Sequence, residues 1–259
     1  MPNAAQFHHD LALLDWHLEL GADEAISETP INRYALEKPA PKPKPIVAQP
    51  LSPIPVAAPI AFNSTPLAQA CNSLDTLRAA LETFEQCPLK QGARNTVFCD
   101  GNPAARVMII GEAPGREEDA AGKPFIGHAG QLLDKMFAAI GLSRHEEAPE
   151  SALYITNLLP WRPPQNRDPK PEEISLMKPF LLRHIELVQP EFIITMGNPS
   201  TKTLRDTDLG ITKMRGQWGE VLGIPSLPLF HPAYLLRSPE KKRQAWADLL
   251  SLKARLEPK

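Results

Sequence analysis

Cysteine is scarce in this sequence: Cys71, Cys87 and Cys99 are the only three among 259 residues, and no two form a C-x-x-C pair. An odd thiol count without paired spacing suggests neither a disulfide framework nor a zinc site, so reduced and mostly structural cysteines are expected. An excess of either charge is also lacking, with 28 Lys and Arg against 30 Asp and Glu. The first hundred residues carry 7 basic and 11 acidic side chains, the remainder 21 and 19. This balance excludes a bulk electrostatic grip on nucleic acid and assigns any such contact to a local patch. No apolar run reaches membrane-spanning length, and the N-terminus lacks the basic-then-apolar layout of a secretory signal. No membrane contact and a cytoplasmic location are expected.

Proline, by contrast, is abundant. Ten of 29 prolines fall between Pro30 and Pro66, in a stretch that includes PAPKPKPIVAQPLSPIPVAAP. Each removes an amide donor and favours extended polyproline II backbone, so a semi-rigid linker is expected over residues 28–70. Before it, residues 1–27 include LALLDWHLELGADEAI, whose leucines and Trp16 roughly follow helical spacing up to Gly21. Such a helix either folds back on its own domain or, through residues 1–26, docks a protein partner. Residues 71–259 are expected to form the main folded domain.

In that domain, helices alternate with short apolar runs at Arg106–Ile110, Leu153–Thr156, Phe192–Thr195 and Leu227–Phe230. Runs so rich in Ile, Val and Leu suit buried parallel strands. Residues 130–140, 171–188 and 240–253 supply amphipathic helices. An open α/β sandwich follows, with ligands expected at the carboxyl ends of its strands.

The first run feeds into GEAPGREEDAAGKPFIGHAG, from Gly111 to Gly130. This is not a triphosphate-binding loop, because Gly122–Lys123 is followed by Pro124 and the carboxylates would repel phosphate. The second run ends at Asn157, the third at Gly197, and the fourth at His231–Pro232 followed by AYLLR. Taken together with RPPQNR (Arg162 to Arg167) and Arg215–Gly216, these segments resemble the family 4 uracil-DNA glycosylases from about Leu81 to Leu250. The resemblance implies a three-layer α/β/α sandwich around a four-stranded parallel sheet. It also implies a monofunctional glycosylase, expected to be a monomer, that acts on DNA containing uracil and leaves an abasic site.

Roles follow for the matching positions. A base buried in a duplex is reached only after flipping, and Phe125 suits stacking beneath it. Asn157 offers one acceptor and one donor on a rigid plane, matching uracil N3–H and O4 and mismatching cytosine. His231 can donate to uracil O2 as negative charge develops there. Glu112 and Glu118 can stabilise the sugar cation or orient water, with Asn166 supporting them, and the acidic loop around Glu118 helps crowd out the thymine methyl. Gly111 and Ala113 border the base; family 1 enzymes place an aspartate where Ala113 stands, so no carboxylate acts from that position. Leu235 and Leu236 are expected to wedge into the base stack while Arg237, Lys241, Lys242 and Arg243 meet phosphates, unless that basic cluster is only a solvated helix start.

The family's [4Fe–4S] cluster needs four cysteines, and alignment on the motifs puts Phe84, Cys87, Trp161 and Met177 at those positions. No metal or other cofactor is therefore expected, and these four side chains are expected to pack together instead. Three other readings stay open: a silent module that binds uracil-containing or single-stranded DNA, a covalent uracil-DNA binder of related fold, and a glycosylase for another deaminated base. The covalent binders carry a histidine-containing loop after the asparagine motif, and PPQNRDPKP has no histidine.

Overall fold

The computed structural model describes residues 63–257, together with Leu11 and Leu13, which are helical and exposed. The rest of the expected N-terminal helix, and all of the proline-rich segment before Asn63, lie outside the described residues.

Six strands form one sheet: β1 (Asp100–Gly101), β2 (Val107–Gly111), β3 (Leu153–Asn157), β4 (Phe192–Met196), β5 (Gly219–Val221) and β6 (Ile224–Leu229), in spatial order β1-β3-β2-β4-β6-β5. The four expected parallel strands are its centre, β3-β2-β4-β6. The sheet nonetheless has six strands rather than four, since β1 and β5 add antiparallel edges. Those edges are two and three residues long and largely polar, too short to show a period in sequence. β6 tolerates Pro228 beside β4 because a strand residue's N–H and C=O point the same way. The Pro228 carbonyl accepts from Gly216 N–H at 2.9 Å, so the missing donor faces away from β4.

Among the described residues the helices are α1 (Thr65–Gln69), α2 (Leu74–Thr83), α3 (Pro88–Gly92), α4 (Arg116–Ala121), α5 (His128–Ala138), α6 (Pro171–Val188), α7 (Asn198–Arg205), α8 (Ile211–Met214), α9 (Pro232–Arg237) and α10 (Lys242–Leu256). None is long and apolar enough to cross a membrane. Because side chains alternate along a strand, each buried strand feeds both faces of the sheet. Met108, Ile110, Tyr154 and Ile193 pack with Leu77, Leu81, Met177, Phe180 and Ile185 from α2 and α6. Val107, Ile109, Leu153, Ile155, Leu227 and Leu229 pack with Leu133, Phe137, Leu249 and Leu252 from α5 and α10. The result is the expected three-layer α/β/α sandwich.

The helix α1 lies inside the segment expected to be linker. Buried Ser64 donates from Oγ to Leu176 O at 2.6 Å, and Arg183 Nε donates to Cys71 O at 2.8 Å, tying residues 64–71 to α6. The packed domain therefore includes residues before Cys71.

Candidate active site

Parallel registry carries four strand ends to one edge of the sheet. Gly111 stands abreast of Asn157, and the third and fourth ends continue into Gly197 and His231. Above them opens a cleft with about 1580 Å³ of empty space, part of it open to solvent. Its cavity proper is about 610 Å³, within the roughly 300–1,000 Å³ of pockets that take one small unit such as a single base. Glu112, Ala113, Glu118, Phe125, Asn157, Asn166, His231 and Arg237 all line it, while Gly111 does not reach the cleft itself and sits against the Asn157 and Phe125 side chains.

Gly111 is a matter of space: a Cβ there would lie 2.3 Å from Asn157 Oδ1 and 2.6 Å from Phe125 Cε2. The strand end is thus clear for both side chains to converge. Asn157 is buried at the floor, and among the described residues no group bonds its side-chain amide, which leaves donor and acceptor free for a ligand. The buried Phe125 ring stacks on the His231 ring with centroids 5.4 Å apart and planes at 28°.

His231 Nδ1 accepts from Ala233 N–H at 3.2 Å. A neutral imidazole has one donor and one acceptor nitrogen, so the proton sits on Nε2. Burial, and secondarily the Arg237 charge, push its pKa down to about 4, keeping this neutral form at ordinary pH. Glu112 moves the other way. Burial first, and the neighbouring Asp168 charge second, raise its carboxyl to about 7.

Glu118 is engaged by the chain itself. Its carboxylate accepts from Gly115 N–H, forming the cap of α4, and is also bonded by the amides of Phe125 and Ile126. Burial nevertheless raises its pKa. It is a staple holding the two ends of the acidic loop together at the cleft wall. Asn166 is exposed at the rim, with Oδ1 taken by Arg162 Nε at 2.8 Å and backbone φ of +51° following Gln165 at +56°. The next residue, Arg167, pins this loop through a two-pronged pair with buried Glu173, whose pKa falls chiefly through that bond.

One expected DNA contact is corrected. Leu235 is 1% exposed and packs with Phe230 and Ala245, so it belongs to the core and cannot wedge into a base stack. Leu236 is 45% exposed. Arg237, Lys242 and Arg243 are exposed and Lys241 is half-buried, clustered from the end of α9 to the start of α10.

Several supporting residues gave no sign in the sequence. Arg144 bonds the Pro124 and Phe125 carbonyls, and Asp168 raises Glu112. The Arg215–Gly216 pair also acquires a reason. Arg215 bonds buried Asp248 of α10 and lies 5.6 Å over the Phe230 ring, next to His231. A Cβ on Gly216 would lie 2.4 Å from Asp248 Oδ1. The pair brackets α10 against the strand end that carries the histidine.

The four cluster-ligand positions, Phe84, Cys87, Trp161 and Met177, are all buried members of one apolar cluster. Phe84 meets Phe180 edge to face at 5.2 Å, Trp161 Nε1 donates to Thr96 Oγ1 at 3.2 Å, and burial raises the Cys87 thiol pKa, favouring the protonated form. These residues do not fit an iron–sulfur cluster, which needs thiolates.

An α/β sandwich with a base-sized amide, an aromatic platform, a neutral imidazole donor and a carboxyl poised near neutrality at its strand ends defines a nucleobase-binding enzyme of the hydrolytic kind. The family model of the uracil DNA glycosylase superfamily matches residues 98–250. A type-4 uracil-DNA glycosylase of Saccharolobus solfataricus is 38% identical over 197 residues, covering 73% of this chain and 88% of that protein. Similar proteins of the same description occur in Archaeoglobus fulgidus, 35% identical with 68% and 89% covered, and in Thermotoga maritima, 38% identical with 65% and 86% covered. The chain belongs to the uracil-DNA glycosylase superfamily.

Proposed function

We infer that this protein hydrolyses the N-glycosidic bond between uracil and deoxyribose in DNA, leaving an abasic site for repair. The observation that carries this reading is the convergence of Asn157, Phe125, His231 and Glu112 on one cleft, each in the state its role requires. A flipped uracil lies against Phe125, with N3–H donating to Asn157 Oδ1 and O4 accepting from its amide nitrogen. As the glycosidic bond breaks, the electron pair moves onto the base and charge gathers on O2, where His231 Nε2–H donates. A neutral donor suits this step, since its bond strengthens as charge grows. Ionised Glu112 stabilises the cation forming on the sugar and orients the water that adds to it. A contribution of this electrostatic kind is of the order of several kcal/mol.

The same packing supports a chain that works without an iron–sulfur cluster, with Phe84, Trp161 and Met177 filling the ligand positions around Cys87. The catalytic unit is proposed to act as a cytoplasmic monomer, and residues 1–26 to dock a protein partner, as their apolar spacing and proline-rich tether suggest. Incubation with labelled uracil oligonucleotides, in chelator, followed by alkali tests the chemistry: strand breaks at uracil are expected. Tight binding that leaves the DNA alkali-stable would make the protein a silent binder.

A further inference from the structure

Arg144 follows α5 in a loop 19 residues from Phe125, yet its side chain is 3% exposed and each of its three guanidinium nitrogens has a partner. Nε and Nη2 meet Asp134 Oδ1 of α5 at 2.9 and 2.8 Å, and Nη1 meets Asp100 Oδ2 of β1 at 3.2 Å. The two remaining bonds go to the acidic loop: Nη1 to Pro124 O at 2.9 Å and Nη2 to Phe125 O at 3.0 Å. The guanidinium therefore joins helix α5 and the sheet edge at β1 to the two carbonyls flanking the Phe125 nitrogen and ring.

Phe125 needs such a hold. Its φ of +53° is a left-handed conformation that residues with a Cβ rarely adopt and that persists only where the surroundings over-determine it. From the other side the constraint is Gly130, where a Cβ would fall 1.7 Å from Phe125 O. The carbonyl is thus seated between Arg144 and the first turn of α5, and the ring projects onto His231.

We propose that Arg144 is a positioning residue for base excision: by gripping the Pro124 and Phe125 carbonyls it fixes the Phe125 ring as the platform on which the flipped base stacks. This rests on reading the cleft as a base pocket. Lysine cannot replace it, because a single ammonium lacks the fork that spans two carboxylates and two carbonyls.

A double-mutant cycle on the full-length protein tests the proposal, using a uracil oligonucleotide, inhibition by free uracil, and thermal melting of each variant. Wild-type excision comes first; if it is absent, the glycosylase reading has failed and not this one. Arg144→Lys is expected to lower kcat/KM about 10- to 100-fold, with weaker inhibition by free uracil, since a small misplacement of a binding group has effects of that order. In a Phe125→Ala background the same change is expected to cost less than about threefold, because the platform it serves is gone. If Arg144→Lys does not fold, Asp134→Asn loosens the same fork from its half-exposed partner and runs the same cycle. An undiminished loss in the Phe125→Ala background, or wild-type kinetics and uracil inhibition in the folded variant, would overturn the proposal.

Discussion

Glu112 and His231 line the same cleft and are shifted in opposite senses by the same cause, burial. The consequence is a division of labour across pH. His231 stays neutral above about pH 5, so its ionisation leaves no limb in the rate between pH 5 and 8. Glu112 titrates at about 7, so kcat/KM is expected to rise through neutrality as the carboxylate forms, and to flatten above it. Glu112→Gln should remove that limb along with most of the activity. Stability moves the other way: a folded pKa raised above the ordinary 4.5 gives stability that is complete below 4.5 and lost as pH rises through about 7. At pH 8 Glu112→Gln should therefore be more stable than wild type, by about 1–2 kcal/mol after allowance for solvent access, as denaturant titration would show. His231→Ala should raise the chemical barrier by about 2–4 kcal/mol while changing substrate binding less, because the lost hydrogen bond matters most at the transition state. Single-turnover rates beside binding constants separate the two effects.

Individual elements differ in how much of them the sequence revealed, and the difference is one of range. The central strands were legible because burial on both faces leaves an unbroken apolar run, and the cleft residues because they terminate those runs. β1 and β5 escaped because so few residues carry no period. In α9, six residues long, adjacent leucines gave no indication of which faces the core; contact with Phe230 and Ala245 settles it for Leu235 and leaves Leu236 outside. Arg144 was invisible for another reason: its partners Asp100 and Phe125 lie 44 and 19 residues away, and no local pattern encodes such a meeting. The apolar cluster around Cys87 was foreseeable only through the family resemblance. Here a packing prediction belongs. Trp161 is 1% exposed, so Trp161→Ala should open a cavity costing about 3–5 kcal/mol, measured by denaturant unfolding. Activity should fall as well, because Trp161 lies between Asn157 and the rim loop at Asn166, whereas Trp161→Phe should restore most of both.

At the scale of the whole molecule, a formal charge of −2 means that DNA is held by the arrangement of charges rather than their sum. Replacing Lys242 and Arg243 by alanine should weaken binding to any sequence and reduce the slope of log affinity against log salt by about 2, one unit per lost phosphate contact. An unchanged slope would leave the cluster as a solvated helix start. The boundary of the catalytic unit is a separate question, on which sequence and structure differ. Composition alone puts the start of the domain at Cys71, yet α1 precedes it, and Ser64, Ala68 and Cys71 are buried against the face that α6 covers. The described residues of the packed domain begin at Asn63, so a start at residue 58 leaves a short margin ahead of it. Residues 58–259 should therefore fold and excise uracil with kcat/KM within about twofold of the full chain, since every cleft residue lies after Gly111. A chain beginning at Ser73 should lose the Ser64–Leu176 and Arg183–Cys71 bonds and expose the apolar surface beneath Ala68, at a cost of about 2–4 kcal/mol. Thermal unfolding of the two fragments beside the full chain decides the matter. Equal stability of the shorter fragment would show that α1 is dispensable to the domain, and loss of activity in the longer one would show that residues before Ala58 take part in the chemistry.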